Sequence, residues 1–136
     1  MNKSINELVS AAKEASLNSY SPYSKFKVGA ALEEENGKIF AGCNVENLAF
    51  PSGICAEQTA VCKAVSETGP SMRIKSLVVY TPTRQVTTPC GSCRQVINEF
   101  ARPDTRIICV CDSSEILDIA FKDLLPESTF IDKLAK

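Results

Sequence analysis

Apolar residues recur along this chain at two different periods, and the switches between them mark out its elements. Ile5, Leu8, Val9, Ala12 and Ala15 follow helical spacing. Ser4-Ile5-Asn6-Glu7 has the form of a capping box, so a helix is predicted from Ser4 to about Tyr20, where Ser21-Pro22 opposes its continuation. Phe26, Val28, Ala30 and Leu32 then alternate as in a half-buried strand. Asn36-Gly37 predicts a tight hairpin turn, with Lys38 to Cys43 as the returning strand. Asn44 to Ile54, containing Pro51 and Gly53, reads as a loop. From Cys55 to about Thr68, the positions of Ala56, Ala60, Val61, Ala64 and Val65 suit a largely buried helix ended by Gly69-Pro70. Ser76 to Thr81 is a short apolar run of the kind found in central strands. Cys90 to Phe100 predicts a helix with Val96, Ile97 and Phe100 inward, stopped by Pro103. Ile107 to Cys111 and Ile116 to Phe121 predict two more strands, and Lys122 to Leu125 one helical turn before Pro126.

This alternation predicts an α/β fold, a three-layer α/β/α sandwich around one mixed five-stranded sheet. There are no repeats, low-complexity stretches or linkers, and 136 residues suit a single domain over 1–136 with a real core. Both cysteine-bearing segments described next fall where a loop enters a helix.

Composition narrows the chemistry mainly through what is missing. Fifteen basic and sixteen acidic residues leave a net charge of −1, which gives no electrostatic support for binding nucleic acid or a membrane surface. No apolar run approaches a membrane span, and Met1 to Glu7 has no signal-peptide pattern, so a cytoplasmic location is expected. Seven cysteines cannot all pair with one another, and in a reducing compartment cysteines serve metals or catalysis more often than disulfides. The chain has no histidine, which removes Ser-His-Asp and Cys-His catalysis and histidine-ligated zinc. Proton transfer falls to a carboxylate, lysine, tyrosine or cysteine.

Against that background, Cys55-Ala56-Glu57 and Pro89-Cys90-Gly91-Ser92-Cys93 stand out. Two cysteines two residues apart can grip one metal from a single turn, and a lone upstream cysteine makes a third ligand. Three thiolates leave one corner of a tetrahedral zinc open, as in catalytic rather than structural sites. Helix N-termini favour the thiolate form that binds metal. Glu57 lies close to the metal without being needed as a ligand, so it can take a proton from bound water and return it. Three thiolates and Zn²⁺ sum to −1, and Arg94, directly after Cys93, is the first candidate to offset that charge. Two other readings of the cysteine pair are a redox dithiol and half of a structural zinc knot. A knot needs a fourth ligand, for which Cys43, Cys62, Cys109 and Cys111 are available, with Cys43 the least easily dismissed.

Taken together, these residues resemble the cytidine deaminase family in its short, homotetrameric, three-cysteine form, and the pattern of cysteines and glutamate is that of zinc-dependent base deaminases. Tyr23 to Leu32 resembles the family's first-strand segment, Gly42 to Asn47 its ribose-binding loop, and Cys55-Ala56-Glu57 and Pro89 to Val96 its two zinc segments. Leu124-Leu125-Pro126 followed by Phe130 resembles its C-terminal segment. The resemblance implies hydrolytic deamination of cytidine and deoxycytidine, with one Zn²⁺ per subunit held by Cys55, Cys90 and Cys93 and the proton shuttled by Glu57. It further implies that Phe26 packs on the pyrimidine and that Asn44 and Glu46 bind the ribose 3′-hydroxyl. The backbone around Ala56 and Thr88 would touch substrate, and Phe130 would reach into a neighbouring subunit's site. Phe50 lies where the family often has a tyrosine near the subunit contact. One position departs from the pattern: many members have arginine directly after the glutamate, and here it is Gln58. Other readings are deamination of a different aminated nucleoside such as blasticidin S, a structural-zinc interaction module, and polynucleotide editing, which the acidic balance disfavours.

Overall fold

The computed structural model describes residues 3–130. Helix α1 (Lys3–Ser16) precedes the hairpin β1 (Gly29–Glu34) and β2 (Ile39–Cys43), followed by helix α2 (Ala56–Thr68) and strand β3 (Ile74–Tyr80). Helix α3 (Gly91–Phe100) leads into β4 (Ala101–Val110), β5 (Ile116–Ala120) and a last short helix α4 (Phe121–Leu124). The strands form one sheet in the order β2-β1-β3-β4-β5, with β3 and β4 parallel and the other neighbours antiparallel.

The period of two decides the layers. Ala30, Leu32, Leu77, Val79, Ile107 and Cys109 share a core with α2, α3 and α4. Their neighbours Ala31, Val78, Ile108 and Val110 share the other core with Leu8 and Ala12 of α1. A sheet covered on both faces needs apolar residues at consecutive positions, which is why its central strands read as unbroken apolar runs. The predicted α/β/α sandwich is therefore the observed architecture.

Several boundaries differ from the sequence reading, and the differences matter for the site. Ser4 forms no capping box: the helix already includes Lys3, and the Ser4 hydroxyl donates to Glu33 Oε1 of β1 at 2.7 Å. Helix α1 stops at Ser16 rather than near Tyr20 because the Tyr20 backbone is captured from elsewhere. Its N–H donates to Asn44 O at 3.2 Å, and its carbonyl accepts from Glu46 N–H at 2.8 Å. Strand β1 starts at Gly29, not Phe26. The Asn44 side chain takes the Phe26 carbonyl and the Val28 N–H, and so holds that stretch out of the ladder. Strand β4 begins well before Ile107 and runs through Pro103. Its pairing with β3 jumps register between Ile74 and Ser76. Pro103 sits where the ladder is already broken, the place a strand tolerates proline. Thr105 Oγ1 fills the gap by accepting from Arg102 N–H at 2.9 Å and donating to Ile74 O at 2.8 Å.

Two glycines set how closely helices approach the sheet. A Cβ on Gly29 would lie 1.8 Å from the Ala12 carbonyl oxygen of α1. A Cβ on Gly42 would meet the Ala60 backbone nitrogen of α2 at 2.7 Å. Both obstacles are backbone, so neither can rotate away. Gly29→Ala is expected to destabilise the fold by about 3 kcal/mol through overpacking. Gly91→Ala, which meets nothing within 4 Å, is expected to leave stability nearly unchanged. Urea unfolding of the two variants beside the parent checks the contrast.

Candidate active site

The N-termini of α2 and α3 meet at the end of the sheet where β2 and β3 finish. Cys55 is the N-cap of α2, Cys90 the N-cap of α3, and Cys93 lies one turn inside α3. Their three sulfurs all lie within 4.8 Å of one another. Cys90 Sγ and Cys93 Sγ are 3.3 Å apart. With zinc–sulfur bonds of about 2.3 Å, a tetrahedral ion separates its sulfurs by about 3.8 Å, so the cluster fits one zinc. No fourth cysteine or carboxylate joins the group among the described residues. Cys62 is exposed on α2, while Cys109 and Cys111 are buried apart from the cluster. Burial pushes the Cys109 thiol up to about 12, so it stays a neutral core side chain. The donor set is that of an open site rather than a closed structural knot.

The cluster's electrostatics follow from its seat. The hydrogen bond from Cys93 draws Cys55 down to about 7, toward the thiolate that a metal ligand must be. The same bond, with burial, pushes Cys93 up. The Cys93 N–H points at Cys90 Sγ at 3.5 Å, and Gln58 Nε2 lies 3.6 Å from Cys93 Sγ and 3.3 Å from Ser92 Oγ. Gln58 thus supplies a donor to a sulfur, without a charge.

Arg94 makes no direct hydrogen bond to the cluster. Its guanidinium donates to Pro89 O and Leu124 O at 2.8 Å and to Thr88 Oγ1 at 2.9 Å, and none of its hydrogen bonds goes to a sulfur. A side chain one residue after an inward-facing helical cysteine points about 100° around the helix. That direction leads to the preceding loop and α4, whose carbonyls it satisfies.

Glu57 is buried, 5% exposed, in the first turn of α2. Burial raises its pKa above the usual carboxylate value, while its own backbone N–H and the Cys93 thiol pull the other way. A buried carboxyl group whose proton affinity is raised can both accept a proton and give it back.

Beside the cluster is a cavity of about 210 Å³. Phe26, Val28, Asn44, Cys55, Ala56 and Glu57 line one part of it. The structure therefore brings Phe26, Asn44 and Ala56 together with the cluster. The sequence reading had no place for Val79, Thr81 and Thr87, which also line the cavity. Thr81 directly follows the apolar run of β3, and the far end of a strand beside a parallel partner is where α/β sheets place their sites. That was the available signal.

Neither Glu46 nor Phe130 is among the residues of its own chain that line this cavity. Glu46 is outside the cavity lining, on the surface loop, where it accepts from Tyr23 N–H at 2.9 Å, Ser24 N–H at 3.1 Å and the Ser24 hydroxyl. The Ser24 hydroxyl beside it holds its carboxyl below the ordinary value. Within its own chain Phe130 is 7% exposed and packs edge to face on Phe121 at 6.1 Å.

Residues 2–111 match the profile of the cytidine and deoxycytidylate deaminase zinc-binding region. The chain belongs to this family. It is 42% identical over 122 residues to a cytidine deaminase of Sporosarcina psychrophila, spanning 90% of this chain and 88% of the relative. A cytidine deaminase of Halalkalibacterium halodurans is 37% identical over 88% of this chain and 89% of its own. The crystal structure of a cytidine deaminase from Burkholderia pseudomallei superimposes with a TM-score of 0.86 at 37% identity, covering 95% of this chain and all of the other. Membership of a zinc-binding family and the three-sulfur cluster agree on the cofactor. Cys93→Ala is expected to abolish zinc retention, whereas Cys62→Ala keeps one zinc per chain. Metal analysis after gel filtration in a weak chelator distinguishes the two.

Proposed function

We propose that this chain hydrolyses cytidine and deoxycytidine to uridine and deoxyuridine with release of ammonia, a reaction of pyrimidine salvage. The observation that carries this reading is the open three-sulfur cluster with Glu57 buried beside it, in a family whose named relatives are cytidine deaminases. Zinc held by Cys55, Cys90 and Cys93 supplies Lewis-acid activation of a water molecule for attack at ring carbon 4. Glu57 would take one proton of the water and deliver it to ring nitrogen 3, then take the remaining proton from the new hydroxyl at carbon 4 and deliver it to the departing amine. One carboxylate suffices because each proton it gives away is one it has just received. Phe26 packs on the pyrimidine at the cavity wall, the backbone at Ala56 flanks it, and Asn44 and Glu46 address the sugar. The two polar residues on the loop after β2 favour a ribose-bearing substrate over other amines.

The same reading includes a homotetramer with sites near subunit contacts. Its support is a set of exposed apolar residues on the loop after β2 and around Tyr23. Leu48 is 81% and Phe50 76% exposed, and the Phe50 ring meets Tyr23 edge on at 5.8 Å. Exposed apolar groups gathered in one region mark an interaction surface. The free cysteines suit a reducing, cytoplasmic setting.

Glu57→Ala is expected to keep zinc and fold and to lower kcat by about 10²–10⁴-fold or more, measured as ammonia release from cytidine. Near-normal turnover would exclude Glu57 as the proton carrier. Gln58→Arg places a positive charge beside Cys93, which favours deprotonated forms at the cluster. The acidic limb of its pH–rate profile is therefore expected at lower pH than in the parent, and an unmoved limb would show that the charge is balanced without that position.

A further inference from the structure

The loop that carries the sugar-facing residues holds a closed hydrogen-bond network with two valences left over. The orientation of the Asn44 amide is set by backbone groups that can play only one role. The Val28 N–H donates to Oδ1 at 3.0 Å, and Nδ2 donates to the Phe26 carbonyl at 2.8 Å. The Ser19 hydroxyl, whose shortest contact is Asn44 Oδ1, takes that oxygen's second acceptor position. Of the four valences of this amide, one N–H remains. The Glu46 carboxylate can accept about four hydrogen bonds. Tyr23 N–H and Ser24 N–H use Oε1, and the Ser24 hydroxyl uses one position on Oε2. One acceptor position remains. A donor and an acceptor together are the complement of a single hydroxyl, which gives one hydrogen bond and takes one.

The two side chains are joined through Phe26. The Ser24 oxygen that donates to Glu46 also accepts from the Phe26 N–H at 3.0 Å, and the Phe26 carbonyl accepts from Asn44. One serine hydroxyl thus links the carboxylate to the backbone of the residue at the cavity wall. Lys25, between them, has φ of +61°, a conformation that costs energy for a residue other than glycine and persists where its surroundings impose it.

We propose that Ser24 and Ser19 are positioning residues that set this loop to read one sugar hydroxyl: Ser24 by holding Glu46 against Phe26, and Ser19 by leaving Asn44 with only an N–H to offer. This rests on the sugar-binding reading above. Neither serine touches the reacting atoms, so their removal acts on recognition and not on the chemical step.

The test compares cytidine with 3′-deoxycytidine in the zinc-loaded parent and its variants. The sugar reading alone predicts that the parent loses about tenfold to a hundredfold in kcat/KM on the deoxy analogue, the range for a hydrogen bond to a charged group. The serine proposal predicts that Ser24→Ala loses about tenfold on cytidine, mostly through KM, and less than about twofold on 3′-deoxycytidine. Ser19→Ala follows the same pattern, and Ser24→Thr, which keeps the hydroxyl, restores discrimination. A parent that treats both substrates alike overturns the sugar reading and the proposal with it. A parent that discriminates, combined with Ser24→Ala losing equally on both substrates or on neither, overturns the proposal alone.

Discussion

Everything in this site depends on two helices that begin at the same point. Cys55 and Cys90 are the N-caps of α2 and α3, and Cys93 follows one turn inside α3. Metal binding by thiolates requires that they lose protons, and a helix start supplies aligned N–H groups that favour that loss. The sheet beneath fixes the geometry. Gly42 lets α2 lie against β2 at backbone contact, so the position of Cys55 is set by packing that cannot relax sideways. A third sulfur without a fourth leaves room for a reacting molecule, and the cavity opens at that place.

With no histidine in the chain, the proposed reaction asks one carboxylate to serve as both base and acid. Such a group works best when its proton affinity lies near the working pH, and burial of Glu57 moves it in that direction. The same burial excludes water that would otherwise compete for the proton. The polar loop on the far side of the cavity has the opposite character: it is exposed, rich in hydroxyls, and nearly saturated with internal hydrogen bonds. The proposed function thus puts chemistry on rigid helix starts and recognition on a loop, as rigid scaffolds that carry binding loops commonly do.

Local patterns in the sequence located the reacting end of this molecule well. Cys55 and Cys90 read as helix starts because Gly69-Pro70 and the apolar spacing downstream left no other place for those helices to begin. Asn36-Gly37 read as a turn, and Gly37 does take φ of +91° there. What escaped notice depends on side chains reaching across the chain. Ser4 looked like a cap and instead bonds Glu33, 29 residues away. Arg94 follows a cysteine directly, yet its hydrogen bonds go to Pro89, Thr88 and Leu124 and not to a sulfur. The Phe26 to Val28 stretch alternates like a strand but is held out of the sheet by Asn44. In each case the local pattern was sound, and a distant partner with a better geometric claim took the group.

The central claim is that the cluster holds zinc through three sulfurs and leaves one position for a small oxygen or nitrogen ligand. X-ray absorption at the zinc edge of the purified protein measures this directly. The account predicts three sulfur scatterers at about 2.3 Å and one lighter atom at about 2.0 Å. Four sulfurs around the metal would contradict it, since a closed site has no place for water and no use for Glu57.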